Sequence, residues 1–308
     1  MIRSFLLLLL SVFAVHAADF LPDVKRILFL GDSITHGGQY VDDFAIYLAL
    51  HHPDRKFEVI NCGLSSETVS GLSEEGHADG KFPRPDLHER LERVLAIVKP
   101  DLVFACYGMN CGIYLPLDEG RFAKYREGIE KLRAKVKAAG ADMIHLTPAA
   151  FDAQAIKQRV VPPESAKDGQ MSADYDSVLG RYAAWLVEQG KTQGWRVIDV
   201  HTAMSEALAS ARRQDPNFSF AKDGVHPNEP GHRVFAGAIF KGLGVQFDPG
   251  STASMELRKA IRQRNRILGD AYLTAAGHTR PGVGKGLPIE EATAKAAEIE
   301  AALPVVRK

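Results

Sequence analysis

Apolar residues along the 308-residue chain follow two spacings that alternate. Short, nearly unbroken apolar runs occur at Ile27 to Leu30, FEVIN (57–61), DLVFACYG (101–108), DMIHLTP (142–148) and WRVID (195–199). Runs so short and so complete predict strands buried on both faces. Between them, apolar positions recur every three or four residues. This holds in QYVDDFAIYLALHH (39–52), in Leu87, Leu91, Val94, Leu95 and Val98 ahead of Pro100, at about 118–139 before Gly140, and at about 173–192 and 201–212. That spacing predicts amphipathic helices. Residues 149–172 contain Pro162, Pro163 and Gly169, show no period, and are expected to form a polar excursion loop. Strand–helix alternation of this kind predicts an α/β fold. A five-stranded parallel sheet in flavodoxin-like order would be covered by helices on both faces, with ligands at the carboxyl ends of its strands.

The two ends of the chain break the pattern. MIRSFLLLLLSVFAVHAADF places Arg3 before an apolar run of residues 5–15, and Val15-His16-Ala17 then supplies small residues for cleavage. The run is shorter than the ~18 to 20 residues that span a bilayer. Residues 1–17 are therefore read as a signal peptide, in preference to an uncleaved anchor, and the mature protein as secreted or periplasmic without stable membrane insertion. Beyond residue 246, QFDPGSTAS resembles a linker. An Arg-rich helical pattern (254–275), the Gly/Pro segment GHTRPGVGKG (277–286) and a last helix, IEEATAKAAEIEAAL, follow. The expected plan is a main α/β domain over 24–246 and a helical appendage over 251–308. Arg280, in the Gly/Pro segment, is expected to be a solvated arginine rather than a contact to an anionic substrate.

Composition narrows the function classes. Lys+Arg and Asp+Glu are both 38, so no basic excess favours nucleic acid. Three cysteines, Cys62, Cys106 and Cys111, argue against a disulfide framework. Neither His51-His52 nor His77 with Asp79 lies in a recognised metal-ligand spacing, and no metal or cofactor is expected.

The junction RILFLGDSITHGG carries the first candidate chemistry. Ser33 there could cap a helix, line a phosphate loop or act as a nucleophile. Neither G-x-x-x-x-G-K-[ST] nor G-x-G-x-x-G follows the strand, which removes the phosphate loop, and G-x-S-x-G is also absent. A serine nucleophile needs a base and a group that orients the base. KDGVHPNEPGH offers both, since Asp223 and His226 are three residues apart within reach of one tight turn; the plain alternative is a turn aspartate and a surface histidine. Acyl transfer also needs donors for the developing oxyanion. Gly63 after FEVIN and Asn110 after DLVFACY lie at the ends of successive predicted strands, although each could be only a turn residue. In a parallel sheet these strand ends form one edge, so the features should converge.

Taken in order, GDSIT, NCGLS, GMN and DGVHP resemble the four blocks of the SGNH/GDSL hydrolase family, over about residues 25–244. The resemblance implies the three-layer fold of that family. It implies Ser33 as nucleophile, His226 as general base and Asp223 as its orienter. The Ser33 and Gly63 N–H groups and the Asn110 side chain would form the oxyanion hole. Asp32, His36 and Cys111 are candidates for lining the pocket, Cys111 standing where the family usually has Asp. The implied activity is cofactor-free hydrolysis of a small-molecule or polysaccharide ester, foremost carbohydrate O-deacetylation. A lipase, arylesterase or thioesterase is the alternative within the family, and a non-catalytic carbohydrate-binding protein the alternative outside it.

Overall fold

The computed structural model describes residues 21, 23–248, 250 and 253–303. The expected leader, residues 1–17, lies outside the described residues.

The first half of the chain forms β1 (Arg26–Gly31), a short α1 (Ser33–Gly37), α2 (Gln39–His51), β2 (Glu58–Asn61), α3 (Leu87–Val98), β3 (Leu102–Cys106), α4 (Glu119–Ala138) and β4 (Asp142–Leu146). After an excursion that contains the two-residue strands β5 (Val160–Val161) and β6 (Met171–Ser172), the alternation resumes. It continues with α5 (Tyr175–Gln193), β7 (Arg196–Ile198), α6 (Val200–Arg212) and α7 (Glu229–Gly242). The main sheet has five parallel strands in the order β2-β1-β3-β4-β7, the flavodoxin-like order expected.

Burial explains the choice of elements. All five side chains of β3 are buried, so both faces of the central strand are covered. On one face Phe29 and Phe104 are register partners whose rings stack at 4.8 Å. Phe44 of α2 meets both rings edge-on, and Phe235 of α7 stacks on Tyr40 of α2 at 4.0 Å. Farther along the chain, Phe122 and Tyr125 of α4 stack on Tyr182 of α5.

The excursion is more ordered than its sequence suggests. It holds 3-10 turns at Ala153–Ile156 and Pro163–Ser165, and β5 and β6 pair in parallel. Pieces of two to four residues are too short to leave a hydrophobic period. The excursion also braces a turn important below: the Asp152 N–H donates to the Gly224 carbonyl at 2.8 Å. The Asp152 carboxylate accepts from Arg212 and Ser219.

The last two helices are α8 (Met255–Ala276) and α9 (Ile289–Ala301), close to the helical patterns read from the sequence. Helix α8 packs along β2, one of the two edge strands, and against α2, α3 and α9. Covering an outer strand with a helix hides its unpaired backbone groups from other chains. The approach is close, because a Cβ at Gly269 would sit 2.7 Å from the Asn61 carbonyl oxygen. Polar contacts fix the register: Asn265 donates to Asp42 at 2.9 Å, and Arg258 pairs with Asp43 at 3.1 Å. Among the described residues, no helix is long and apolar enough to cross a membrane.

Candidate active site

β1 ends at Gly31, and Asp32 caps α1 by accepting the Ile34 N–H at 3.0 Å. Ser33 is thus the first residue of a helix, where a backbone N–H has no intrahelical acceptor. The cap and nucleophile readings of this turn are compatible, since Asp32 does the capping and the Ser33 hydroxyl is left for other partners.

The other half of the constellation lies in the turn before α7. Asp223 Oδ1 accepts the backbone N–H groups of Val225 (3.0 Å) and His226 (2.8 Å), which sets the turn. Its Oδ2 lies 2.7 Å from His226 Nδ1, and His226 Nε2 lies 2.7 Å from Ser33 Oγ. With Nδ1 facing a carboxylate, the proton belongs on Nδ1, and Nε2 is the acceptor for the serine O–H. Burial would raise the Asp223 carboxyl, but the His226 and Val225 hydrogen bonds outweigh it and hold the group below the usual carboxylate range. Asp223 therefore stays ionised beside the ring.

Asn110 sits beyond β3, buried at 3% exposure. Its Oδ1 accepts from Arg84 Nη1 (3.0 Å) and from the Tyr114 hydroxyl (3.1 Å). Its Nδ2 donates to the Glu67 carbonyl at 3.2 Å, which leaves the second amide hydrogen available. Arg84 is itself fixed by a two-point pair with Glu74, both contacts at 2.6 Å. The Glu67 loop is pinned by a fully buried pair with Arg90 of α3, and Tyr107 donates to the same carboxylate at 2.6 Å. None of Glu67, Glu74, Arg84 and Arg90 was singled out in the sequence. Their pairings span 10 to 23 residues and leave no local motif.

Gly63 packs directly on the first block. A Cβ there would lie 2.4 Å from the His36 backbone nitrogen, so any larger residue would displace the serine turn. The Gly63 N–H donates to Asn61 Oδ1 at 2.9 Å, and its carbonyl contacts His36 Nδ1 at 3.0 Å. Gly108 of the third block has φ +150, and a Cβ there would fall 2.6 Å from Pro148.

Ser33, Asn110, Asp223 and His226 share one cleft of about 400 Å³. The three candidate pocket residues lie elsewhere. Asp32 is buried beneath the turn, and that burial raises its carboxyl to about 6. His36 lines a separate cavity against α8. Cys111 is fully buried, and burial raises its thiol to about 11. Arg280, expected in solvent, instead lines the cleft, because the segment after α8 folds back over the Ser33 side of the sheet edge.

The fold is a parallel α/β sheet with Ser33, Asn110, Asp223 and His226 gathered at one edge. Residues 29–234 match the GDSL-like lipase/acylhydrolase family, and the chain belongs to that family. None of the curated proteins compared with the chain matches it. Among solved structures, an acetylxylan esterase from Geobacillus stearothermophilus is similar at 22% identity and TM-score 0.51, over 72% of this chain and 95% of that one. A gut microbial diltiazem-metabolizing enzyme is similar at 20% identity and TM-score 0.54, over 72% of this chain; the match spans about half (48%) of that longer protein.

Proposed function

We propose that the enzyme is an exported carbohydrate O-acetylesterase that acts through Ser33, His226 and Asp223. The observation that carries this reading is the continuous line from Asp223 Oδ2 through His226 to Ser33 Oγ, with both contacts at 2.7 Å. Ser33 Oγ attacks the ester carbonyl while His226 Nε2 takes its proton, and Asp223 stabilises the imidazolium that forms. The oxyanion is held by the Ser33 N–H and the free Asn110 amide hydrogen, with the Gly63 N–H shared between it and Asn61 Oδ1. Collapse breaks the C–O bond, and His226 returns the proton to the leaving alcohol. A water then attacks the acyl-serine with His226 as base, releasing the acid and restoring Ser33.

Ser65, Ser66, Gln170 and Arg159, which line the cleft beside Ile113, Met171 and Val225, can hydrogen-bond a sugar and favour acetylated saccharide over long-chain lipid. The similar acetylxylan esterase is consistent with the same choice. The leader at residues 1–17 supports export. A series of aryl esters from acetyl to octanoyl, together with acetylated xylan and acetylated sugars, tests the substrate reading. Activity should fall as the acyl chain lengthens, and a rise toward octanoyl would assign a lipase instead.

A further inference from the structure

The charged groups lining the Ser33 cleft do not cancel. Glu74 is committed to Arg84 through two contacts of 2.6 Å, and Asp223 is committed to His226. With His226 Nε2 an acceptor, Asp223 keeps its negative charge, so two further cations, Arg159 and Arg280, leave the cleft one positive charge in excess; neither forms an ion pair with a carboxylate among the described residues. They reach the cleft from unrelated parts of the chain. Arg159 belongs to the excursion between β4 and α5, and Arg280 to the segment between α8 and α9. The chain as a whole has equal numbers of acidic and basic residues, so this excess is local to the cleft.

Arg280 is also held in place. Its guanidinium lies over the Phe82 ring at 5.2 Å from the centroid, it donates to the Pro281 carbonyl, and its buried Nε has no hydrogen-bond partner. An arginine stacked on a ring presents its remaining N–H groups in a fixed fork, the geometry that carboxylate and sulfate oxygens accept. Two unpaired cations in a cleft attract and orient an anion far more than either does on an open surface.

We propose that the substrate is an acylated acidic saccharide. A carboxylate or sulfate on its alcohol half is held by Arg159 and Arg280 while the ester lies at Ser33. This inference rests on the esterase reading above and adds the charge of the substrate to it. The C-terminal segment thereby supplies a specificity residue as well as packing.

The test compares three matched acetyl esters: a methyl glucoside, the corresponding methyl glucuronoside and the glucoside 6-sulfate. Wild type should show kcat/KM about tenfold or more higher for at least one charged ester, chiefly through KM, with the advantage shrinking as salt is raised. The better charged ester identifies the anion. Arg280→Gln and Arg159→Gln should each reduce the charged-to-neutral ratio, and the double variant should bring it near one. A ratio measured on one sample is unaffected by a misfolded fraction. Equal kcat/KM on all three esters in wild type, or a ratio unchanged in the double variant, overturns the proposal. Calorimetry with Ser33→Ala and the deacetylated methyl glucuronoside separates the two readings. Arg280-dependent binding without hydrolysis by wild type would leave anion recognition standing and remove the esterase, whereas hydrolysis without charge discrimination would do the reverse.

Discussion

Asn110 can satisfy its neighbours in only one orientation. Two donors, Arg84 and Tyr114, face its Oδ1, and the Glu67 carbonyl faces its Nδ2. An amide held in this way needs no reorganisation when an oxyanion develops. Arg84→Ala removes one of the two donors and leaves Glu74, 7% exposed, with only the His77 ring at 3.3 Å. On an aryl acetate this should lower kcat by about ten- to a hundredfold, less than the roughly 10²- to 10³-fold expected of Asn110→Ala. A kcat unchanged in Arg84→Ala would show that Asn110 is oriented by other means. In the Asp223–His226–Ser33 line, Ser33→Ala and His226→Ala should each abolish nearly all turnover, and Asp223→Asn should retain more. Asp32 makes a separate prediction about stability. Its buried carboxyl titrates near 6 against an ordinary 3.8, so the folded state binds that proton more tightly than the unfolded state does. The contribution is therefore complete below about pH 4 and is lost as pH rises through about 6, a change of on the order of 3 kcal/mol at most. Asparagine caps a helix as well as aspartate. Asp32→Asn should accordingly gain Tm relative to wild type as pH is raised from 4 to 7; parallel Tm curves would show that Asp32 does not carry the effect.

At the scale of elements, legibility followed length and locality. The five main strands were readable because each lies in a short, mostly apolar run, although only β3 is buried along its whole length, and helices α2 to α6 because their apolar stripes persist over 12 to 20 residues. Strands β5 and β6 were not readable, since two residues have no period. Helix α8 was readable as a helix, but its position against the outer strand was not. That position depends on Gly269, where the lack of a side chain lets α8 approach the Asn61 carbonyl. Gly269→Val should destabilise the protein by about 1–3 kcal/mol through overpacking. Because Asn61 contacts both Gly63 and the Thr35 carbonyl, activity should fall as well. Gly237 in α7 is the matched control, since a Cβ there meets nothing within 4 Å. Gly237→Ala should raise stability by up to ~1 kcal/mol through helix propensity alone. Thermal melts of the two variants with opposite signs are the expected result, and a Gly269→Val melt at or above wild type would show that α8 is not held by this approach.

Over the whole molecule, the sheet topology assembles the site. Ser33 and His226 are 193 positions apart, and they meet because the strand ends share one edge to which the turn before α7 returns. The four blocks were legible from sequence because each is a short local pattern. The parts that were not legible act through tertiary pairing. Arg84, Glu74, Arg90 and Glu67 are ordinary charged residues until folding buries them together, and Arg280 enters the cleft only because α8 turns the chain back. The zero net charge concealed the same fact, since an average over 38 residues of each sign says nothing about one cleft. The proposed role of Ser33 as nucleophile depends on its meeting with His226. Its most direct test is intact-protein mass spectrometry after exposure to a fluorophosphonate, followed by peptide mapping. Wild type should gain a single adduct on Ser33, His226→Ala should gain it far more slowly, and Ser33→Ala should gain none. An adduct at another residue, or labelling of Ser33→Ala at the wild-type rate, would exclude Ser33 as the nucleophile.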